Sequence, residues 1–155
     1  MDYPVFMDIE FSSAEDGQFP TIVSWSLPEG TLKSVLILPA DEWDPWNNVD
    51  SNIDIQHLFD QGVTPTDIAR EINDDLGGKT VFVDGLDADE ALLEKLFDAC
   101  GGDPDFELAS LSQFDPSYGL EELLELRNDH AEQNELDPSI SEDNVRAMLF
   151  MSQNI

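Results

Sequence analysis

Near residue 40 the apolar residues change their spacing, and this change limits the folds open to the chain. Before it the pattern suits strands. Val5 to Ser12 carries Val5, Phe6, Ile9 and Phe11, and Gln18 to Leu27 carries Ile22, Val23 and Trp25. Pro28-Glu29-Gly30 is a turn signal, and Thr31 to Leu38 is a nearly continuous apolar run that predicts a buried strand. Three strands joined by short turns make an antiparallel meander. After residue 40 the period becomes helical. Ala40 to Asn52 is acidic and irregular, and Ile53 to Gly62 predicts a short helix with Ile55, Leu58 and Phe59 on one side. Thr64 and Pro65 suit the cap and first position of a second helix, whose period runs through Ile68, Ala69, Ile72 and Leu76 to Gly77-Gly78. Lys79 to Val83 predicts a strand, Asp89 to Cys100 a helix with Leu92, Leu93, Leu96 and Phe97 inward, and Phe106 to Leu111 a strand. Helices follow from Leu120 to about Glu132 and from about Ser141, the latter with Ser139 or Ser141 as cap and Val145, Met148 and Leu149 inward. The order β-β-β-α-β-α-β-α gives an α/β fold, a mixed sheet with helices packed on it. No linker or repeat interrupts it, so residues 1–155 read as a single domain.

Charge excludes several function classes. Thirty-five Asp and Glu against six Lys and Arg give a formal charge of −29. The six cations, Lys33, Arg70, Lys79, Lys95, Arg127 and Arg146, form no cluster along the chain, so an ordinary basic nucleic-acid patch is excluded. An anionic membrane surface is disfavoured for the same reason. The bland reading is a solvated acidic surface; a specific one is an acidic face for a basic protein partner. One cysteine, Cys100, excludes an intrachain disulfide and a Cys-based zinc cluster. Met1-Asp2-Tyr3-Pro4 shows no basic start to a leader and no long apolar run follows, so a cytoplasmic protein is expected.

Within the acidic excess, four carboxylates stand out by position. Asp8 and Glu10 are two apart in the first strand, and a period of two puts both on one face. Like charges side by side in a largely buried strand cost several kcal/mol unless a cation or hydrogen bonds compensate. Asp84 and Asp89 follow the fourth strand, and the carboxyl ends of strands are where open α/β sheets bind ligands. Asp89 has a plainer reading as well, a carboxylate capping a helix N-terminus.

These residues carry a resemblance. Phe6-Met7-Asp8-Ile9-Glu10-Phe11 resembles the first motif of the DEDD-type 3′–5′ exonucleases, which have a ribonuclease H-like fold. Val81 to Leu93, with Asp84 closing the strand and Asp89 five residues on, resembles their second motif. Ile53 to His57, through Ala69 to Ile72, resembles the helical turns between the two. The third motif departs from the pattern: a final Asp is preceded five residues earlier by His or four residues earlier by Tyr. In Asp137 to Ala147, Asp143 as the final acid leaves Pro138 and Ser139 at those places, whereas a register one later puts Asn144 in place of the Asp and Ser139 in place of the His.

The resemblance implies hydrolysis of phosphodiester bonds at 3′ ends of short or single-stranded nucleic acid, with two Mg²⁺ or Mn²⁺ ions as cofactors. It implies Asp8 bridging both ions, with Glu10, Asp89 and Asp143 completing the ligands. Trp43, Trp46 and Phe59 are candidates for stacking on a terminal base, with His57 as a further substrate-binding candidate. His130, at the end of the preceding helix, is the candidate base. The alternative is a relative that keeps the fold, has lost catalysis and acts as an acidic binding or regulatory module.

Overall fold

A computed structural model describes residues 2–155; Met1, the first residue of the span read as one domain, lies outside the described residues. β1 (Val5–Phe11), β2 (Pro20–Ser26) and β3 (Leu32–Leu36) come first, then α1 (Ile55–Gln61) and α2 (Pro65–Leu76). β4 (Thr80–Val83), α3 (Leu86–Asp98), β5 (Glu107–Ser110), α4 (Leu120–Gln133) and α5 (Ser141–Ser152) complete the chain, with 3-10 turns at Asp41–Trp43, Pro45–Asn47 and Leu111–Gln113. The sheet has five strands in the order β3-β2-β1-β4-β5. β1 pairs antiparallel with β2 and β2 with β3, whereas β1 pairs parallel with β4 and β4 with β5. This is the expected mixed α/β sheet, and β1 is the strand at which its two halves meet.

The alternation along β1 divides the core. Val5, Met7 and Ile9 pack with Ile68, Ile72 and Leu76 of α2 and Leu92, Leu93 and Leu96 of α3. Phe6 points to the opposite face, with Leu123 of α4 and Val145, Met148, Leu149 and Met151 of α5. Helices therefore cover both faces, and the even positions of β1 look toward α5. Among the described residues no helix is long and apolar enough to cross a membrane.

Three local expectations need correction. β3 is a half-buried edge strand that stops at Leu36. The apolar run continues because Ile37 leaves the strand to form a parallel bridge with Val63, where it is fully buried. Helix α3 begins at Leu86, one turn before Asp89, with Gly85 at its N-cap. Neither Ser139 nor Ser141 caps α5: Ile140 holds that position, and Ser141 is the first helical residue. Thr64 does cap α2, its Oγ1 accepting from Asp67 N at 3.3 Å, with Pro65 following.

Candidate metal centre

The site forms where β1 and β4 part. Their parallel pairing is confined to Val5 with Val81 and Phe6 with Phe82. Two residues beyond Phe6 and Phe82 lie Asp8 and Asp84, at the carboxyl end of the parallel half. Asp89 enters from the first turn of α3, where its own N–H bonds to Gly85 O and its side chain is 4% exposed. Asp89 is not the cap of this helix, a position that Gly85 holds. One carboxylate oxygen from each of Asp8, Asp84 and Asp89 lies within 4.8 Å of the others. Asp8 and Asp84 border a cleft of about 480 Å³, whose walls include Glu10, Phe11, Ile53, Pro138 and Asn144.

The electrostatics follow from crowding in a half-dry place. Burial, and then the neighbouring Asp84 charge, push Asp8 up to about 7; hydrogen bonds from Asn144 and Ile9 oppose this, and Glu10 adds a smaller push. Burial, then Asp8 and Asp84, push Asp89 up to about 8. Near neutral pH Asp89, and Asp8 in part, hold protons unless a cation takes their place. An all-oxygen, crowded, partly desolvated donor set fits a hard divalent cation such as Mg²⁺ or Mn²⁺.

A pH prediction follows. Both folded-state values lie above the ordinary 3.8, so the native state keeps protons that the unfolded chain has lost. The stability from these groups is fully present below about pH 4 and is lost as pH rises through about 7 to 8. Denaturant unfolding in chelator at fixed ionic strength should show stability falling from about pH 5 to about pH 8, with Mn²⁺ restoring it at the upper end. A flat profile in chelator would contradict this.

Glu10 lies on the same wall but is held differently. Its Oε2 accepts from Ser141 N at 2.9 Å and Ser141 Oγ at 2.7 Å, at the N-terminus of α5, where a carboxylate is favoured. Ser141 Oγ also lies 2.8 Å from Ser24 Oγ, so β1, β2 and α5 are tied at one buried point.

The third-motif segment takes the later register. Asn144 is buried, and its Nδ2 donates to Asp8 Oδ2 and to Asp84 Oδ2, both at 3.0 Å. Asp143 is not brought to the cleft: its Oδ2 accepts from Asp137 N at 3.1 Å. The reason is helical spacing, since Ser141, Asn144, Val145 and Met148 share the inward face of α5 and Asp143 lies off it. Trp43 is no stacking platform, because it is 4% exposed and stacks on Phe19 at 5.7 Å within the core. Trp46 is 61% exposed and stacks on Phe59 at 5.6 Å. His57 is exposed on α1, its N–H donating to Asp54, and His130 is half-buried in the last turn of α4. None of these four lines the cleft.

Two positions at the site lie outside the ligand set that the resemblance implies. Asp84, at the carboxyl end of the fourth strand, completes the carboxylate group with Asp8 and Asp89. Arg127 of α4 donates from Nη1 to Asp84 Oδ2 at 2.6 Å and to Asn144 Oδ1 at 2.7 Å. Its signal is its place between Leu123 and Ala131 on the buried stripe of α4, where a lone charge needs a partner.

No protein-family model matches the chain, and no curated protein matches its sequence. Solved structures do match its shape. E. coli Exonuclease I in complex with a dT13 oligonucleotide superposes with a TM-score of 0.67 at 14% identity, over 99% of this chain and 40% of that one. The same enzyme with a 5cy-dA13 oligonucleotide gives 0.66 at 14% identity, over 97% and 39%. The Mopeia virus exonuclease domain, partially complexed with manganese, gives 0.53 at 15% identity, over 98% and 75%. The chain thus spans about two-fifths of Exonuclease I and three-quarters of the viral domain. At these identities the likeness speaks for the fold alone, a mixed α/β sheet of the ribonuclease H-like, exonuclease-like kind.

Proposed function

We propose that this protein is a divalent-cation-dependent nuclease that removes nucleotides slowly from the 3′ ends of short or single-stranded nucleic acid. The observation that carries this reading is the convergence of Asp8, Asp84 and Asp89 within 4.8 Å at the parting of β1 and β4. Support comes from the neighbours in fold, which are exonucleases seen with oligonucleotides or with manganese. Asp8 and Asp89 would hold the cation, Mg²⁺ or Mn²⁺, with Asp84 beside them. A bound divalent cation supplies Lewis acidity, which polarises a phosphoryl oxygen and makes water a better nucleophile at neutral pH.

The chain's own residues set the pace and the substrate. Asn144 and the Ile9 N–H hold the two Asp8 oxygens in place. Glu10, pinned by Ser141, keeps its carboxyl group on the cleft wall. No His or Tyr lines the cleft, and the lack of a dedicated base typically costs about 10²–10⁴-fold. Phe11 and Ile53 give the cleft an apolar wall suited to a nucleoside. The charge of −29 repels long polynucleotides at low salt, which favours short substrates.

A second reading rests on the Asn144 carboxamide on the cleft wall and the Arg127 guanidinium paired to Asp84. Both reduce the site's capacity for cations, and a protein built so acts as an acidic binding module toward a basic partner. Single-turnover digestion of 3′- and 5′-labelled oligonucleotides of both sugar types, with Mg²⁺ and with Mn²⁺, separates the two. The nuclease reading expects a ladder shortening from the 3′ end that disappears in Asp8→Asn. Complete inactivity at every length would leave the binding module.

A further inference from the structure

Asp84 enters the cleft with one oxygen already taken. Its Oδ2 accepts from Arg127 Nη1 at 2.6 Å and from Asn144 Nδ2 at 3.0 Å. The ring closes because Arg127 Nη1 also donates to Asn144 Oδ1 at 2.7 Å. Asn144 Nδ2 reaches on to Asp8 Oδ2 at 3.0 Å, and Arg127 Nε is held by Asn128 Oδ1 at 3.0 Å. The Arg127 side chain is only 11% exposed. A carboxamide suits position 144 because its oxygen accepts from the guanidinium while its nitrogen donates to two carboxylates. A carboxylate there would have no hydrogen to give and would face Asp8 and Asp84 as a like charge.

A guanidinium keeps its charge at any pH the protein meets. A divalent ion using Asp84 Oδ2 would have to displace it, or sit a few ångströms from a fixed positive charge with little water between. We propose that Arg127, oriented by Asn144, is the resident cation of the carboxylate group: it neutralises Asp84 and limits the site to one divalent ion, on the Asp8–Asp89 side. This rests on the cation-dependent nuclease reading and deepens it. Arg127 is a positioning residue, because it acts through Asp84.

The test is cation stoichiometry, read by calorimetric titration of Mn²⁺ into the full chain in high monovalent salt, which screens diffuse surface charge. Wild type should bind one Mn²⁺, and Arg127→Lys should keep that stoichiometry. Arg127→Met should bind Mn²⁺ about tenfold more tightly, because a fixed repelling charge is gone. The double variant Asn144→Asp with Arg127→Met should bind two. A variant unfolded on its own is read by Mn²⁺-driven refolding: recovery at or below the wild-type Kd supports the inference, and no recovery overturns it. Two ions in wild type, an unchanged or weaker Kd in Arg127→Met, or, where wild type binds one ion, no second ion in the double variant would each overturn it. No ion in wild type but one gained by the double variant would remove the nuclease reading while upholding the role of Arg127. No ion in any of them would overturn both.

Discussion

Asp8→Asn is expected to stabilise the cation-free protein at pH 8 and to abolish its stabilisation by Mn²⁺. The wild-type carboxylate is ionised at that pH against a folded-state value near 7, in a cleft shared with Asp84 and Glu10. An amide at this position removes the repulsion, and its single oxygen can still accept from Ile9 N or from Asn144 Nδ2, though not from both. The gain in chelator should be about 1–3 kcal/mol, less than the full shift implies because Asp8 is only half-buried. In saturating Mn²⁺ the order should invert, since a ligand bound by the native state alone stabilises by mass action and the variant has lost its central ligand. Thermal unfolding of both proteins at pH 8, with and without cation, measures this. Equal responses to Mn²⁺ would assign the effect to the acidic surface at large.

The second large effect is expected at Arg127. Arg127→Ala should cost about 3 kcal/mol in the cation-free protein, because it takes the paired charge from Asp84 and leaves the Asn144 oxygen without its donor in a partly buried place. Lys33 is the control. It makes ion pairs to Glu71 at 2.9 Å and Asp75 at 2.8 Å, more bridges than Arg127 makes. Lys33 and Glu71 are 36% and 42% exposed, however, so Lys33→Ala should cost only about 1 kcal/mol or less. Urea unfolding of the two variants separates a buried charge pair from a solvated one, and equal losses would place Arg127 with the solvated group.

Much of this arrangement is legible in the sequence, for reasons that can be named. A period of two puts Asp8 and Glu10 on one face of β1, and both do meet α5. Thr64-Pro65 marks a helix start through a backbone donor that needs a partner. Other features depend on contacts distant in sequence. The run through Leu38 reads as a buried strand because apolar residues look alike whether they cover an edge or fill a centre; Ile37 is buried by Val63, on another connection. Trp43 lies in an acidic stretch, so its turn inward onto Phe19 has no local signal. The register of the third motif turns on where α5 starts. With Ser141 first, Asn144 falls inward with Val145 and Met148, and Asp143 does not. Arg127 sits in a helix dense with Glu and reads as a surface charge until α4 packs against α5 and brings it to Asp84.

The most direct test is where a cation goes. Crystals soaked in Mn²⁺ and measured for anomalous scattering should show a peak within coordination reach of the Asp8 and Asp89 carboxylates, with Arg127 still paired to Asp84. Peaks confined to exposed surface acids, with none in the cleft between β1 and β4, would contradict the metal centre.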